Sequence, residues 1–351
     1  MSAEALFVGA GARLRARAWM RGLCRGNRVA LVSEPGVWRR YGAGVENALK
    51  AAGFAVMRRL LPPGEAAKSW GEIEGLLRVM LEGGLGRDSA LVALGGGAVT
   101  DAAGFAAAIY LRGIPWVSMP TTLLGQIDSG LGGKTGVNLA GGKNLAGAFH
   151  RPEAVVCDTE VLETLPARER LSGLGEALKY GLVFDPPLWR LMTRGWDDLA
   201  GGDARITEEV VRRGAAWKRR VVARDPRETK GPREFLNFGH TLGHALESVA
   251  GLGVLRHGEA VIWGMRAALR LSGRLAGLSA AAALEADRFL ASVSAPMPRR
   301  LDWRRLLAAA RRDKKTRGGD ARFVLLRSIG RPVVLPVAED MILAAVLELL
   351  S

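Results

Sequence analysis

At 351 residues the chain is long enough for one or two domains with a large core. Its 48% hydrophobic and 24% charged composition is that of a globular protein, and no run of about 18 uncharged apolar residues suggests a membrane partner. The two cysteines, Cys24 and Cys157, lack CxxC spacing, which excludes a disulfide framework or a thiolate zinc site and fits a cytoplasmic setting. Arg13, Arg15, Arg17 and Arg21 interrupt any signal-peptide order at the N-terminus. The formal charge of +15 invites a nucleic-acid reading, but the basic residues are scattered and aromatics make up 6%. With no zinc-finger or RNP-like spacing, no nucleic-acid partner is expected, and part of the charge is assigned to an anionic small substrate.

The first half alternates short β-like runs with helical ones. Val29–Val32 reads as a strand, Val45–Ala52 as a helix, Phe54–Met57 as a strand, Trp70–Leu81 as a helix and Ala90–Leu94 as a buried strand. Pro115–Pro120 and Ala154–Asp158 read as further strands. Such alternation predicts a mostly parallel sheet with crossover helices. After Leu165-Pro166 the pattern changes to long amphipathic helices, through Ala338–Leu350. The expected organisation is therefore an α/β nucleotide-binding domain over 1–165 and an all-α domain over 166–351.

Gly95-Gly96-Gly97 follows a strand and precedes the small-residue helix Ala102–Tyr110. Glycines at such a turn let backbone amides approach a pyrophosphate, although the GxGxxG fingerprint is missing. Pro120-Thr121-Thr122 leads to Asp128 through Lys134-Thr135, then to Gly142-Lys143-Asn144. Glycine-flanked lysines, a carboxylate and paired threonines suit phosphates and a polyhydroxylated carbon chain, while an ordinary Gly-rich loop is the plainer alternative. Gly133-Lys134-Thr135 resembles the end of a P-loop, but its GxxxxGK spacing is absent.

Three of the four histidines fall between 240 and 257. His240 and His244 are four apart and share one helical face; His257 opens an apolar helical run. A helix start disfavours imidazolium, which predicts a neutral, ligating ring at His257. Glu176 and Lys179, three apart, form either a surface ion pair or the carboxylate side of a two-His, one-carboxylate metal site. Spacing alone leaves His240 and His244 as equal candidates.

From about Pro63 to about Gly330 the chain resembles 3-dehydroquinate synthases of the sugar phosphate cyclase group. The resemblance rests on Gly64-Glu65-Ala66-Ala67-Lys68, the GGG turn to Asp101, Tyr110-Leu111-Arg112-Gly113 and Thr121–Asn144, in order. Glu176 with Lys179, Arg233–Glu247, His257-Gly258-Glu259 and Asp313-Lys314-Lys315 continue it. It implies a zinc (or cobalt) site of Glu176, His240 and His257, with His244 facing substrate. It implies NAD contacts from Glu65, Lys68, Gly97, Ala98, Val99, Thr100, Asp101, Thr121, Thr122, Lys134, Lys143 and Leu162 to Thr164. The implied substrate shell is Asp128, Lys134, Asn144, Lys179, Lys218, Arg233, Asn237 and one of Lys314 and Lys315. Arg112 matches an arginine that the family contributes across a homodimer interface. The chain departs from the family at Glu34-Pro35-Gly36, where Asp-x-Asn is usual, at Thr100 and at Gly130.

The reaction so implied converts 3-deoxy-D-arabino-heptulosonate 7-phosphate to 3-dehydroquinate and phosphate. Three other readings are weighed. A cyclase for sedoheptulose 7-phosphate or a hexose phosphate would leave a carboxylate-binding Arg233 and Lys218 without a partner. A glycerol-type dehydrogenase would not need so many anion-binding groups. A basic nucleic-acid-binding protein would need no zinc.

Overall fold

Short, strongly apolar runs bounded by glycine and polar residues fix the central sheet. The computed structural model describes residues 4–140, 142–226, 231–251, 253–295, 297, 301–312 and 321–350. Lys314 and Lys315 lie outside the described residues. The strands are β1 (Ala5–Val8), β2 (Arg28–Ser33), β3 (Ala55–Leu60), β4 (Ala90–Gly95), β5 (Trp116–Pro120), β6 (Lys134–Leu139), β7 (Gly142–Phe149), β8 (Ala154–Cys157), β9 (Ala321–Ser328) and β10 (Arg331–Val337).

Six of them form one sheet in the order β1-β8-β5-β4-β2-β3, with every pairing parallel. Val29–Val32 and Leu91–Leu94 are fully buried, as expected of parallel strands covered on both faces. The chain passes from β2 outward to β3, then returns to place β4 on the other side of β2. That reversal is a switch point, where the strand C-termini of a doubly wound sheet open a ligand crevice. Residues 95–97 leave β4 at this end and Glu34 leaves β2 beside it.

The helix after the glycines starts at Gly97 and runs to Ile109, five residues earlier than the small-residue pattern suggested. Ala102, Ala103, Ala106 and Ala107 are buried, and a Cβ at Gly104 would meet Thr135 Cγ2 at 2.6 Å and the Trp116 ring at 2.9 Å. The helix is thus pinned between the sheet and a hairpin, β6 against β7, where the sequence pattern names no strand. Lys134 opens a strand there, whereas a P-loop lysine lies at the start of a helix.

The chain divides into two compact units, residues 1–166 with 202–223, and residues 167–201 with 224–351. Most of the helix Ala204–Arg224 therefore belongs with the α/β unit, although it follows residue 166 in sequence. The second unit is built mainly from the helices Ala167–Val183, His240–Ala250, His257–Leu275 and Ala280–Val293. It also holds an antiparallel hairpin, β9–β10, which the purely helical expectation missed. Pro332 and Pro336 weaken the strand signal of β10, and pairing with β9 overrides it. Among the described residues no helix is long and apolar enough to cross a membrane.

Inside the second unit three helices touch backbone to backbone. A Cβ at Gly258 would lie 1.8 Å from Ser172 O, and one at Gly175 would lie 2.5 Å from Gly258 O. A Cβ at Gly264 would lie 1.9 Å from Gly239 O. Gly258→Ala should therefore destabilise the protein by about 3 kcal/mol or more, since two helices must part to admit one methyl. Gly71, at the exposed start of the helix Trp70–Glu82, has no atom within 4 Å of an added Cβ. Gly71→Ala should be neutral or stabilising by up to about 1 kcal/mol, and urea unfolding of the two variants checks the contrast.

Candidate active site

In the second unit the close crossings bring three helices' polar residues together. Glu176 is fully buried on the helix Ala167–Val183, where an apolar helix face would ordinarily exclude it. Its Oε1 lies 3.2 Å from His240 Nε2 and 3.3 Å from His257 Nε2, and its Oε2 pairs with Lys179 Nζ. Lys179 is 1% exposed, which rules out the surface ion pair. Both carboxylate oxygens lie within ion-pair range of these nitrogens but accept no aligned hydrogen bond.

The other ring nitrogens are committed elsewhere. His240 Nδ1 is 3.2 Å from Phe238 O, and His257 Nδ1 is 3.1 Å from Glu247 Oε2. Such contacts leave each Nε2 as the ligating atom. Two donors of a tetrahedral zinc site, each at about 2.0–2.1 Å from the ion, stand about 3.3 Å apart. The Glu176–His240 and Glu176–His257 separations match that edge, so the donor set fits a zinc-class ion. His244 joins the same cluster: the candidate ligand atoms of His240, His244 and His257 lie within 4.8 Å of one another. Glu176 contacts His240 and His257 directly, and the His244 ring lies 5.2 Å from the His240 ring and 5.7 Å from the His257 ring, centroid to centroid.

Burial lowers the His240 pKa to about 4, helped by the Lys179 ammonium, which leaves the ring neutral. For His257 burial works in the same direction, but the carboxylates of Glu176 and Glu247, 3.3 and 3.1 Å from its ring nitrogens, outweigh it and raise the pKa to about 10. The helix-start argument for a neutral His257 is thereby corrected: two carboxylates favour a cation there, whether proton or metal. Burial alone would raise the Glu176 carboxyl, yet Lys179 and His240 hold it well below the usual range.

The loop before His257 is clamped as well. Glu259 accepts from Arg168 Nε and Nη2 at 2.8 Å each and from the backbone N–H of Arg256 at 2.7 Å. Neither Arg168 nor Glu247 was assigned a role from sequence; a carboxylate seven residues after His240 on one helix was the available signal for Glu247. Arg233 is 1% exposed; its Nη1 donates to Pro226 O at 2.9 Å, while Nη2 is buried without a partner among the described residues. A buried guanidinium edge of this kind is a ready anion site. Asn237 ends the same short helix, Pro232–Asn237.

In the first unit the glycine turn meets the switch point. Cβ atoms at Gly96 and Gly97 would press on Thr122 Cγ2 at 3.4 Å and Ser129 Oγ at 3.3 Å, so the turn is a cradle that side chains would fill. Gly97, Ala98 and Val99 supply the first amides of the helix, Thr100 N–H donates to Gly96 O at 3.1 Å, and Asp101 stands one turn in. Thr121 is buried after β5; Leu162 is buried, and Thr164 shares a 2.6 Å hydrogen bond with Tyr41. This geometry fits a pyrophosphate-bearing nucleotide.

Lys68 is buried and donates to Asp101 at 2.6 Å and to the side chain of Asn144. Lys143 lies 3.9 Å from Glu65. Lys218 pairs with Asp128, so the helix that returns to the first unit brings its lysine to the loop after β5. Lys134 is exposed at the start of β6. Leu111 and Arg112 are exposed, and both take left-handed backbone, φ 50° and 69°. Non-glycine residues rarely hold that conformation without a functional reason.

Two profiles cover this frame: the 3-dehydroquinate synthase N-terminal model matches residues 58–172 and the C-terminal model residues 173–316. The chain belongs to the 3-dehydroquinate synthase family. A 3-dehydroquinate synthase of Bordetella pertussis is 46% identical over 304 residues, 86% of this chain and 85% of that protein. The Rhodospirillum rubrum 3-dehydroquinate synthase is 45% identical over 337 residues, 94% of this chain and 87% of that one. Among solved structures, the 2-epi-5-epi-valiolone synthase of Streptomyces hygroscopicus, with NAD+ and Zn2+ bound, superposes with a TM-score of 0.86. It is 29% identical and covers 100% of this chain and 97% of its own.

Removing the Lys68 cation leaves Asp101, whose carboxyl burial already raises, without its partner. Lys68→Met should cost about 3 kcal/mol at neutral pH, the low end for a broken buried pair because Asp101 keeps some access to water. Because the folded-state pKa of Asp101 would rise further in that variant, its stability should fall as pH climbs from the ordinary carboxylate range through the raised value. Urea unfolding at pH 4 and pH 7.5 measures both effects.

Proposed function

We propose that the protein converts 3-deoxy-D-arabino-heptulosonate 7-phosphate to 3-dehydroquinate and phosphate, as a phosphate-eliminating lyase. The observation that carries this reading is the buried Glu176 carboxylate held 3.2 and 3.3 Å from the Nε2 atoms of His240 and His257, within a chain of this family. Glu176, His240 and His257 would hold a zinc or cobalt ion, which would polarise the substrate's C5 oxygen and lower the alcohol's pKa. The amides at Gly97–Val99, with Glu65, Lys68, Thr100, Asp101, Thr121, Thr122 and Lys143, would hold NAD, which would supply hydride transfer and be restored within one turnover.

The chain's own residues do the remaining work. The Lys179 ammonium pairs with the buried Glu176 carboxylate and keeps it ionised. The orphan Nη2 of Arg233 would pair with the substrate carboxylate, which a sedoheptulose or hexose phosphate lacks. Lys134, Asn144, Asn237 and His244 would grip the phosphate, and the Lys218–Asp128 pair would hold hydroxyl or carboxylate oxygens beside it. One of Lys314 and Lys315 completes the proposed substrate shell. The exposed, left-handed Arg112 would serve the phosphate of a second copy of the chain, so the proposed working unit is a homodimer.

Phosphate release from the heptulosonate phosphate, with and without NAD and a chelator, tests the assignment; turnover of sedoheptulose 7-phosphate instead would overturn it. Ala at Glu176, His240 or His257 should abolish metal retention after dialysis, whereas His244→Ala should keep the metal. Glu247→Gln should weaken metal binding roughly 10- to 100-fold, through the orientation of His257. Arg233→Ala should raise the barrier for the carboxylate substrate by about 2–5 kcal/mol. Mixing inactive Arg112→Ala with inactive His257→Ala should restore activity in exchanged dimers. Subunit exchange without recovery would refute the shared site.

A further inference from the structure

The hairpin β6–β7 pairs Val137 with Ala146 but Leu139 with Gly142, so the ladder slips at Asn138. Residues 143–145 of β7 stand opposite Asn138 alone, so the extra residues of the bulge lie in β7. The side chain opposite the bulge, Asn138, makes two hydrogen bonds. Asn138 Oδ1 accepts from the backbone N–H of Asn144 at 2.9 Å, and Asn138 Nδ2 donates to Glu65 Oε2 at 2.7 Å. Asn144 holds left-handed backbone, φ 56°, and its own amide oxygen accepts from Lys68, which also reaches Asp101. One unbroken chain of polar contacts thus runs Glu65, Asn138, Asn144, Lys68, Asp101.

On the proposed function, four of these five residues belong to two different sites. Glu65, Lys68 and Asp101 stand on the cofactor side, and Asn144 stands on the phosphate side. Asn138 belongs to neither, yet it is the group that joins Glu65 to Asn144. Chemistry dictates the residue type: the position must offer an acceptor to a backbone N–H and a donor to a carboxylate, which a primary amide does and an aspartate cannot. We infer that Asn138 is a positioning residue that holds Asn144 in its strained conformation and fixes Glu65, so that the nucleotide and phosphate ends of the site are set by one amide. This inference rests on the reading of Glu65 as a nucleotide contact and Asn144 as a phosphate contact.

The test uses the full-length protein and three variants, with NAD affinity from titration calorimetry, KM and kcat for the heptulosonate phosphate, and melting temperature. Asn138→Ala should weaken NAD and raise KM roughly 5- to 10-fold each, with kcat less affected. Asn138→Asp, nearly isosteric and so least disruptive to folding, should separate the two effects. Its carboxylate still accepts from Asn144 N–H, so KM stays within about threefold, but it repels Glu65 and weakens NAD about tenfold. Adding Glu65→Gln to Asn138→Asp supplies a donor again and should return NAD affinity to that of Glu65→Gln alone. Equal losses in Asn138→Ala and Asn138→Asp, or no coupling between positions 65 and 138, would overturn the positioning role. Failure of the unsubstituted protein to bind NAD would instead overturn the functional reading beneath it, and this inference with it.

Discussion

Everything in the candidate metal centre depends on how closely three helices approach. Helices packed through ordinary side chains stand about 8–10 Å apart. Glycines at 175 and 258, and at 239 and 264, remove the side chains that would keep them apart, and backbone meets backbone. Glu176 follows Gly175 directly, His257 precedes Gly258 and His240 follows Gly239, so each functional residue sits beside the contact that places it. The crossing and the site are one construction.

That construction carries an electrostatic strain which its composition resolves. A carboxylate with no solvent contact would ordinarily take up a proton. Lys179, one turn along the same helix, keeps Glu176 ionised, and the same ammonium helps keep His240 neutral. Glu247 and Glu176 together make the His257 position one that favours positive charge. A cluster with one neutral imidazole, one cation-seeking imidazole and one ionised carboxylate has the donor set of a divalent-metal site, and helix packing alone gives no reason for it.

The first unit solves a different problem with the same economy. Its parallel sheet is buried on both faces, so polar chemistry is confined to the strand ends and to the β6–β7 hairpin. The glycine turn at 95–97 places helix amides at the switch point, and the hairpin carries Lys134, Lys143 and Asn144. The helix Ala204–Arg224 rejoins this unit from later in the chain and delivers Lys218 to Asp128. A Cβ at Gly214 on that helix would touch Ile127 at 3.0 Å, so its seat lies next to Asp128.

The sequence by itself determined the elements whose signals are local. Continuous apolar runs named the buried strands from 29 to 32 and 90 to 94, and amphipathic spacing named the helices, because burial on two faces or one stripe leaves a periodic trace. The recurrence of separated motifs pointed to Glu176, His240 and His257 as the proposed ligands, where spacing alone left two histidines open. Tertiary structure decided what depends on pairing across distance. The β6–β7 hairpin is glycine-rich with β7 largely exposed, and β10 carries two prolines, so neither has a strand pattern until its partner is present. The charge of His257 follows from two carboxylates contributed by other helices, which outweigh the local effect of its helix start. The role of Asn138 likewise comes from a slipped register, and a slip in register is visible only when both strands are in place.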